Sequence, residues 1–352
     1  MTAERDDALA RVWEQFAEHE CRGYSPLYER ICRGVARDPD LLALTALGPP
    51  AARQPNLLLA AAHFLLLSGV EHPLAEVYAG RSTADPVPRF RDLCLSHRDA
   101  VLALLASRYT QTNECGRSSA IVPSLAWVAA RLGASLALID VGASAGLNLL
   151  CDRYRIDYGN AGATGPPDSP VRIECRVLGG QPPIAAPRLA TRIGLDRAPV
   201  DLHDEDSARW LLACVWPDTG RLERTESAIA LARKVSPRVV RGDAVRDIGP
   251  LLDAIPDGVT PCVVTTWMFA YLPADQRVAF VAELTRAAGR RPLAWISAEG
   301  PGVVDALDAD DPPRHDVTTP SVLAAMVFDH ARIATTLLGW VHPHGRWIDW
   351  RA

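Results

Sequence analysis

One short loop carries the residues whose types and spacing best suit chemistry. It follows the apolar run 136–139, which is typical of a strand buried on both faces of a parallel sheet. Small residues let a ligand approach the backbone closely, and the first turn of a following helix offers free N–H groups. Nucleotide-like cofactors bind at such loops in open α/β sheets. The candidate cofactor-binding residues of this loop are Asp140, Gly142, Ala143, Ser144, Gly146 and Asn148.

The spacing of the glycines distinguishes between cofactors. A dinucleotide-binding loop has the pattern GxGxxG, whereas three residues separate Gly142 from Gly146. The order Asp-x-Gly-x-x-x-Gly resembles motif I of class I S-adenosylmethionine-dependent methyltransferases, with Ser144 where many members have a middle glycine. This resemblance implies S-adenosylmethionine as the cofactor. The alternative is a tight strand-to-helix turn whose small residues serve packing alone.

Acidic residues follow two later strand patterns in the order that the same resemblance implies. Asp196 closes the next core strand and is placed to accept hydrogen bonds from a ribose diol. Asp243 stands in a Gly-Asp-Ala turn after the third strand, where the acid of similar methyltransferases lies near the adenine amino group. Either acid is also a common cap or turn residue, so that alternative stays open.

Two aromatic residues follow the fourth strand pattern, in a segment that resembles the substrate-facing loop of methyltransferases. Trp267 and Tyr271 are candidates to shape the acceptor pocket or to hold the sulfonium by a cation–π contact. We assign Tyr271 a candidate catalytic role and Trp267 a substrate-binding role. Packing is the alternative and the commoner role of such aromatic residues.

Three longer strings resemble the bacterial family catalogued as domain of unknown function 2332. They are RYTQTNE with Arg117 and Ser118, GASAGLNLL with Asp152, Arg153 and Tyr154, and PHGRW near the end of the sequence. The resemblance extends from about Tyr24 to Trp350. Because the family is grouped with Rossmann-type methyltransferases, it implies a fold and a cofactor class but no acceptor. Tyr154 and Arg117 are candidate substrate-binding residues.

The first string lies just before the first strand, where similar methyltransferases hold the methionine end of the cofactor. Gln111, Asn113 and Glu114 are candidates to contact its amino and carboxylate groups, and either Arg108 or Arg117 offers a fork for the carboxylate. Helix capping is the alternative, since Asn and Thr beside Glu are also capping residues. In the last string, His344 suits a general base because imidazole has an ordinary pKa of about 6.5, although a polar hairpin turn explains Pro-His-Gly equally well.

The elements that must position these residues fall into two regions. Residues 1–132 show helical periodicity punctuated by prolines, and Asp38-Pro39 and Pro55 suit helix starts. Residues 133–352 alternate strand and helix patterns, with a Gly/Pro-rich insertion at about 159–190 that contains a short hairpin. Period-two patterns end the chain. We therefore predict an α/β protein: a class I methyltransferase-like doubly wound sheet with an N-terminal all-helical cap domain and an antiparallel C-terminal end.

Composition excludes several classes of protein. Of 352 residues, 48% are hydrophobic and 22% are charged, as in ordinary folded proteins and unlike disordered or fibrous ones. A net charge of −5 without a basic run argues against a nucleic-acid partner. The eight cysteines form no CxxC pair and no cluster with histidine at metal-ligand spacing, so we expect no metal site.

Targeting signals are also lacking in the sequence pattern. The first 20 residues are acidic and lack the order of a signal peptide, and no apolar run reaches the roughly 20 residues that span a membrane. We expect a cytoplasmic protein without a membrane partner. A helical region placed before the sheet suits a cover over a small pocket, which favours a small-molecule substrate. The sequence does not determine the oligomeric state.

Three functions follow from these patterns. The first is an S-adenosylmethionine-dependent transferase that methylates a small-molecule acceptor by in-line displacement, a reaction that needs alignment more than a particular catalytic residue. The second uses the same cofactor differently, by intramolecular displacement on its aminobutyryl chain. The third is a non-catalytic protein that binds a nucleotide or a partner on the same fold, an alternative that the insertion and Ser144 keep open.

Overall fold

The computed structural model describes residues 2–133, 135–304, 319–330 and 332–352. By their internal contacts these residues form two compact units. A helical unit comprises residues 2–112 and His203–Glu226, and a sheet unit comprises Asn113–Leu202 with most of the described residues after 226.

Prolines and small polar side chains begin several of the helices. Proline occupies the first turn of the helices that start at Pro26, Pro39, Pro55 and Pro86, where a missing N–H costs no intrahelical hydrogen bond. The predicted starts at Asp38-Pro39 and Pro55 are thereby confirmed. The α-helices are α1 (Thr2–Phe16), α2 (Pro26–Val35), α3 (Pro39–Leu47), α4 (Pro55–Leu67), α5 (Leu74–Tyr78), α6 (Pro86–Ser96), α7 (Arg98–Ser107), α8 (Ser118–Leu132), α9 (Glu205–Ala213), α10 (Leu222–Val235), α11 (Ile248–Asp253) and α12 (Ala274–Ala288).

The strands form one large sheet and one small sheet. They are β1 (Ser135–Val141), β2 (Arg155–Asp157), β3 (Ala163–Thr164), β4 (Arg172–Glu174), β5 (Arg176–Val177), β6 (Arg188–Asp196), β7 (Val239–Arg241), β8 (Thr260–Thr266), β9 (Leu293–Glu299), β10 (Ser321–Asp329), β11 (Arg332–Val341) and β12 (Trp347–Trp350). The order of the large sheet is β5-β12-β11-β10-β9-β8-β1-β6-β7.

The central strands run parallel and determine where a ligand would bind. β7, β6, β1, β8 and β9 are parallel, whereas β10, β11 and β12 pair antiparallel with their predecessors in the sheet. From β1 the chain moves outward to β6 and β7 and later returns to β8 on the other side. Ligands of doubly wound sheets bind at such a switch point, outside the carboxyl ends of the strands. That position lies between β1 and β8.

The helical unit has its own apolar core. Buried side chains of α1 to α7 pack together with Trp210 of α9, and Trp13 and Ile31 lie at its centre. One open groove of about 690 Å³ lies in this unit, lined among others by Tyr78, Arg30 and Asp218. None of the site residues expected from the sequence lines it.

The core of the sheet unit lies on one face of the parallel strands. Ala137, Ile139 and Val141 of β1 face α11 and α12 together with Trp295 of β9. Side chains alternate along a strand, so Asp140 lies on the opposite face of β1. In the parallel pairing it is adjacent to Gly194 of β6 and Val264 of β8.

Several predicted elements differ in detail from the structure. The first unit ends at Thr112, whereas we place the sequence boundary at 132, because α8 packs on β8, β9 and β10. The insertion begins earlier than expected, at β2, which pairs antiparallel with β3 and parallel with β4. The antiparallel C-terminal strands are confirmed. Among the described residues, the helices are too short or too polar to cross a membrane.

Candidate functional site

Asp140 is a buried acid at the carboxyl end of the central strand. Its Oδ2 atom is buried and has no hydrogen-bond partner in the described part of the chain. Burial and, to a smaller extent, the Asp196 carboxylate raise the pKa of this carboxyl to about 7, while the Arg117 guanidinium opposes the shift. An unsatisfied buried carboxyl group is costly, so such groups mark candidate ligand sites.

The loop after β1 uses its own N–H groups to hold its shape. Gly142 and Ala143 donate to the Leu195 carbonyl at 2.8 and 3.3 Å. Ser144 donates to Asp196 Oδ2 at 2.7 Å, and Gly146 donates to the Ala143 carbonyl at 2.7 Å. Just after the loop, Leu147 donates to Asn113 Oδ1 at 3.0 Å. The expectation of a row of free N–H groups is therefore wrong for these positions. A pyrophosphate, which needs such a row, does not fit this loop.

The segment after the loop is a 3-10 helix, Leu147–Arg153, whose residue Leu150 has non-helical backbone angles. The expected α-helix is absent from this part of the described chain. Arg192 of β6 holds the segment through both Asp152 carboxylate oxygens, at 2.8 and 3.1 Å. Tyr154 is fully buried and donates its hydroxyl to the Leu147 carbonyl at 2.5 Å, so this hydroxyl stabilises the segment.

Two other polar atoms of the loop region resemble Asp140 Oδ2 in their burial and hydrogen bonding. Ser144 Oγ and Asn148 Oδ1 are buried and lack hydrogen-bond partners within the described residues. Carboxylate and amide oxygens accept hydrogen bonds, and a hydroxyl can also accept. The loop thus presents a set of acceptors that suits a ligand with donor groups, such as an ammonium.

Glycine is required at Gly142 by packing as well as by backbone conformation. Its φ is +82°, and a Cβ there would lie 2.5 Å from Cγ of Met268. The loop after β1 therefore packs tightly on the turn after β8. A larger residue at Gly142 would disturb that packing before it met any ligand.

The two acids expected to bind the nucleoside also accept hydrogen bonds from the protein backbone. Asp196 accepts the N–H groups of Ser144 and Ala198, each at 2.7 Å. Asp243 accepts from Val245 at 2.9 Å and Arg246 at 3.1 Å through one oxygen, as a turn cap does. A carboxylate has about four lone-pair sites, so Asp196 still has capacity for a ribose donor.

Two of the four described non-glycine residues with a positive φ lie at the switch point. Ser144 and Trp267 adopt φ values of 52° and 54°, in the left-handed region that non-glycine residues rarely occupy. They lie just beyond β1 and β8, respectively. Such strain persists only where surrounding contacts enforce it, and Trp267 Nε1 donates to Ser321 Oγ at 2.7 Å.

Tyr271 lies apart from these buried groups. Its side chain is 82% exposed, at the end of the short 3-10 helix Phe269–Tyr271. An exposed hydroxyl is not held in one orientation, so Tyr271 has no role in the function proposed below.

Glu299 is a site residue that the sequence reading missed. At the end of β9 it accepts N–H groups of Met268, Phe269 and Ala270 at 3.1, 3.0 and 3.4 Å. Burial raises its pKa, and these hydrogen bonds oppose the shift. The rule that an acid ends a core strand, which selected Asp140 and Asp196, applies to Glu299 equally.

The string before α8 is divided between the two units. Gln111 belongs to the helical unit, where its amide donates to the Tyr109 hydroxyl at 3.0 Å. Asn113 and Glu114 are buried in the sheet unit. The Asn113 side chain holds the start of the 3-10 segment at Leu147, as described above.

Arg117 connects the end of β8 to the C-terminal turn. Its guanidinium donates to the Thr266 carbonyl at 2.9 Å and to the Pro343 carbonyl at 3.0 Å. These contacts hold the arginine in place beside Asp140, whose pKa it lowers. The sequence predicts that Arg117 binds a ligand carboxylate, whereas in the structure its guanidinium donates to two protein carbonyls.

The C-terminal turn docks on the same segment. The Gly345 carbonyl accepts from Ser119 Oγ at 3.2 Å, and a Cβ at Gly345 would lie 2.0 Å from the Gly116 carbonyl oxygen. His344 Nδ1 lies 3.7 Å from Glu114 Oε2. The parts of the three strings that lie in the sheet unit therefore meet around the carboxyl ends of β1 and β8.

A comparison with known protein families identifies the family of the chain. A family model described as an uncharacterized protein conserved in bacteria (DUF2332) matches residues 10–350. The chain belongs to this family. No curated protein matches it. The DUF2332 match spans both units, so the helical unit and the sheet unit are parts of one family architecture.

Proposed function

We propose that this DUF2332 protein is an S-adenosylmethionine-dependent transferase that methylates a small-molecule acceptor. The observation that carries the proposal is the buried Asp140 carboxyl, with an unpartnered oxygen at the switch point and directly before the loop from Gly142 to Gly146. A ligand with an ammonium group satisfies that oxygen. The amino-acid end of S-adenosylmethionine supplies one.

The residues present fit this cofactor better than a dinucleotide. Asp140 and Asn148 offer acceptors to the ammonium, and Asp196 retains lone pairs for the ribose hydroxyls. Four N–H groups of the loop, those of Gly142, Ala143, Ser144 and Gly146, are used within the protein, which disfavours a pyrophosphate and is neutral toward a cofactor without phosphate. Asp243 fits less well, because its second oxygen faces Arg197 at 3.8 Å.

When bound, S-adenosylmethionine supplies a methyl group already activated by positive sulfur. The protein then has to bind the cofactor and the acceptor and orient them for transfer. Asp140 fixes the ammonium, Arg117 stabilises the charged form of Asp140, and Glu299 holds the turn that carries Trp267 beside the strand ends. Positioning of this kind supplies much of the acceleration of a displacement.

A non-catalytic binding protein is the second candidate. The observation that favours it is that Asp196 and Asp243 each already accept backbone N–H groups. In this alternative the same loop binds a ligand, and no group is transferred.

Calorimetry with S-adenosylhomocysteine, S-adenosylmethionine and NAD tests the proposal, followed by mass spectrometry of the S-adenosylmethionine products. We expect micromolar binding of the first two, no binding of NAD, and release of S-adenosylhomocysteine when an acceptor is present. Methylthioadenosine without an acceptor would indicate intramolecular displacement instead. Binding without turnover across acceptor classes would indicate the non-catalytic alternative.

Asp140→Asn is the sharpest variant for this test. Loss of a charged acceptor costs about 1.5–3 kcal/mol, so affinity should fall roughly ten- to a hundredfold. The matched control is Asp204→Asn, the same chemical change at the N-cap of α9, where Asp204 accepts from Ser207 at 2.8 Å. The control should bind like the wild type.

A further inference from the structure

An interior acid and a partly open imidazole face each other in the sheet unit. His344 Nδ1 lies 3.7 Å from Glu114 Oε2, and the Glu114 side chain is fully buried while that of His344 is 24% exposed. At this separation the carboxylate acts on the imidazole through its negative charge and not through a hydrogen bond, and that charge favours a proton on the ring.

Both partners are held by separate contacts. Glu114 Oε1 accepts the N–H of Gly116 at 2.7 Å, which fixes the carboxylate with its second oxygen toward His344. On the other side, the backbone N–H of His344 donates to His342 Nδ1 at 2.9 Å. The turn itself is held by Ser119 Oγ, which donates to the Gly345 carbonyl at 3.2 Å.

The pair also lies in the cluster described above. Arg117 follows Glu114 in the chain, binds the carbonyl of Pro343 next to His344, and binds Thr266 at the end of β8. A base at this position is attached to the same segment that supports Asp140.

We propose that His344 and Glu114 form a proton-accepting dyad that acts on the acceptor molecule, an inference that rests on the proposed transferase function. His344 is the catalytic residue and Glu114 is a positioning residue. The O–H or N–H bond of the acceptor breaks, its electron pair stays on the oxygen or nitrogen, and the proton forms a bond to Nε2 of His344. The resulting imidazolium is stabilised by the Glu114 carboxylate and later releases its proton to water.

The dyad indicates the class of acceptor. A carboxylate substrate is already ionised at neutral pH and needs no base. An alcohol, a phenol or a protonated amine must lose a proton to become the nucleophile. The acceptor is therefore a hydroxyl or amino compound.

Diethyl pyrocarbonate tests the dyad without a known acceptor, because it modifies neutral, accessible imidazoles. Peptide mass spectrometry measures the labelling rate of His344 between pH 5.5 and 8, with the exposed His330 as internal reference. Near His344, the Glu114 carboxylate lies 3.7 Å away, Arg117 binds the adjacent Pro343 carbonyl, and the His342 ring packs beside the His344 ring. Arg346 follows two positions later in the same turn. Binding of S-adenosylhomocysteine is measured by calorimetry on the same samples.

We expect His344 to be labelled in the folded protein, and S-adenosylhomocysteine to change its rate at least about threefold while leaving His330 unchanged. Glu114→Gln keeps an oxygen for Gly116 but removes the charge, so labelling at pH 6 should become at least about threefold faster. Glu114→Asp should restore much of the wild-type profile. The labelling of His344 in the wild type decides by itself whether the imidazole is accessible.

Each other outcome has a definite meaning. An inert His344, or a pH profile that Glu114→Gln does not shift, overturns the dyad. If S-adenosylhomocysteine binds without changing His344 labelling, the dyad does not serve the transfer site. If S-adenosylhomocysteine does not bind while the labelling pattern holds, the transferase proposal fails and the dyad stands as the base of another reaction.

Discussion

At the scale of single residues, Asp140 links stability to function. Its pKa of about 7 in the folded chain lies above the ordinary value of 3.8. Between these values the folded state holds a proton that the unfolded state has lost, so stability falls as pH rises from about 4 to about 7 and is level above. An acid that is buried at this cost is a candidate for a functional site.

Asp140→Asn should remove this pH dependence. The asparagine cannot ionise, so its advantage in unfolding free energy over the wild type should grow from pH 4 to pH 7, by up to about 4 kcal/mol. Urea unfolding of both proteins at a series of pH values measures the difference. Parallel stability curves would show that the carboxyl is not desolvated.

Asp196 should contribute to both fold and binding. Its two oxygens each accept a backbone N–H, and asparagine at this position can accept only one of them well. We expect Asp196→Asn to lower the unfolding free energy by about 1.5–3 kcal/mol and to weaken S-adenosylhomocysteine binding about tenfold. An unchanged melting temperature would contradict the contacts to Ser144 and Ala198.

Residue types alone identified part of this site. The acids that end strands, Asp140 and Asp196, follow from a local pattern of apolar run and carboxylate. The roles of their oxygens do not, because backbone partners such as Ala198 depend on how the loop turns. For the same reason, Arg117 was expected to bind a ligand and instead binds two protein carbonyls.

At the scale of elements, the docking of the C-terminal turn on the start of α8 joins distant parts of the chain. Arg117 and Pro343 are 226 positions apart. Hydrophobic periodicity predicted the strands on either side of the turn, since period-two alternation is local. It carries no information about which segment the turn contacts.

Gly345→Ala tests this docking. A Cβ at Gly345 would lie 2.0 Å from a backbone oxygen and φ is +75°, whereas Gly159, with φ +61°, has nothing within 4 Å. The left-handed conformation alone costs about 1–2 kcal/mol, so Gly159→Ala should lose about that much stability. Gly345→Ala should lose clearly more and should weaken S-adenosylhomocysteine binding.

Equal losses of stability in the two alanine variants, measured by thermal unfolding, would contradict the close approach of Gly345 to Gly116.

The kinked 3-10 segment Leu147–Arg153 also shows what local sequence cannot predict. Its residues Leu147, Leu149 and Leu150 are compatible with an α-helix by propensity. The tertiary contacts of Arg192 and Tyr154 override that preference.

At the scale of the whole molecule, alternation of strand and helix patterns predicted a doubly wound sheet, and the parallel order β7-β6-β1-β8-β9 agrees with it. The division into units did not follow from composition. The helix α8 has the same helical periodicity as those before it, and only its packing on the sheet assigns it to the second unit.

Selectivity among cofactors is the property of the whole site that separates the candidate functions. The absence of free N–H groups at the positions given above predicts that NAD fails to compete with S-adenosylhomocysteine, even at about a thousandfold excess. A competition titration measures this. Displacement by NAD would indicate a dinucleotide site.

Proton release on binding tests the central claim most directly. Below pH 7 the Asp140 carboxyl is mostly protonated, and an ammonium that binds it displaces that proton. Calorimetric titration of S-adenosylhomocysteine at pH 6, in two buffers of different ionisation enthalpy, counts the protons. We predict micromolar binding with release of about one proton by the wild type, and weaker binding without release by Asp140→Asn. Absence of binding at millimolar ligand, or the same affinity and proton count in the variant, would contradict the proposed site.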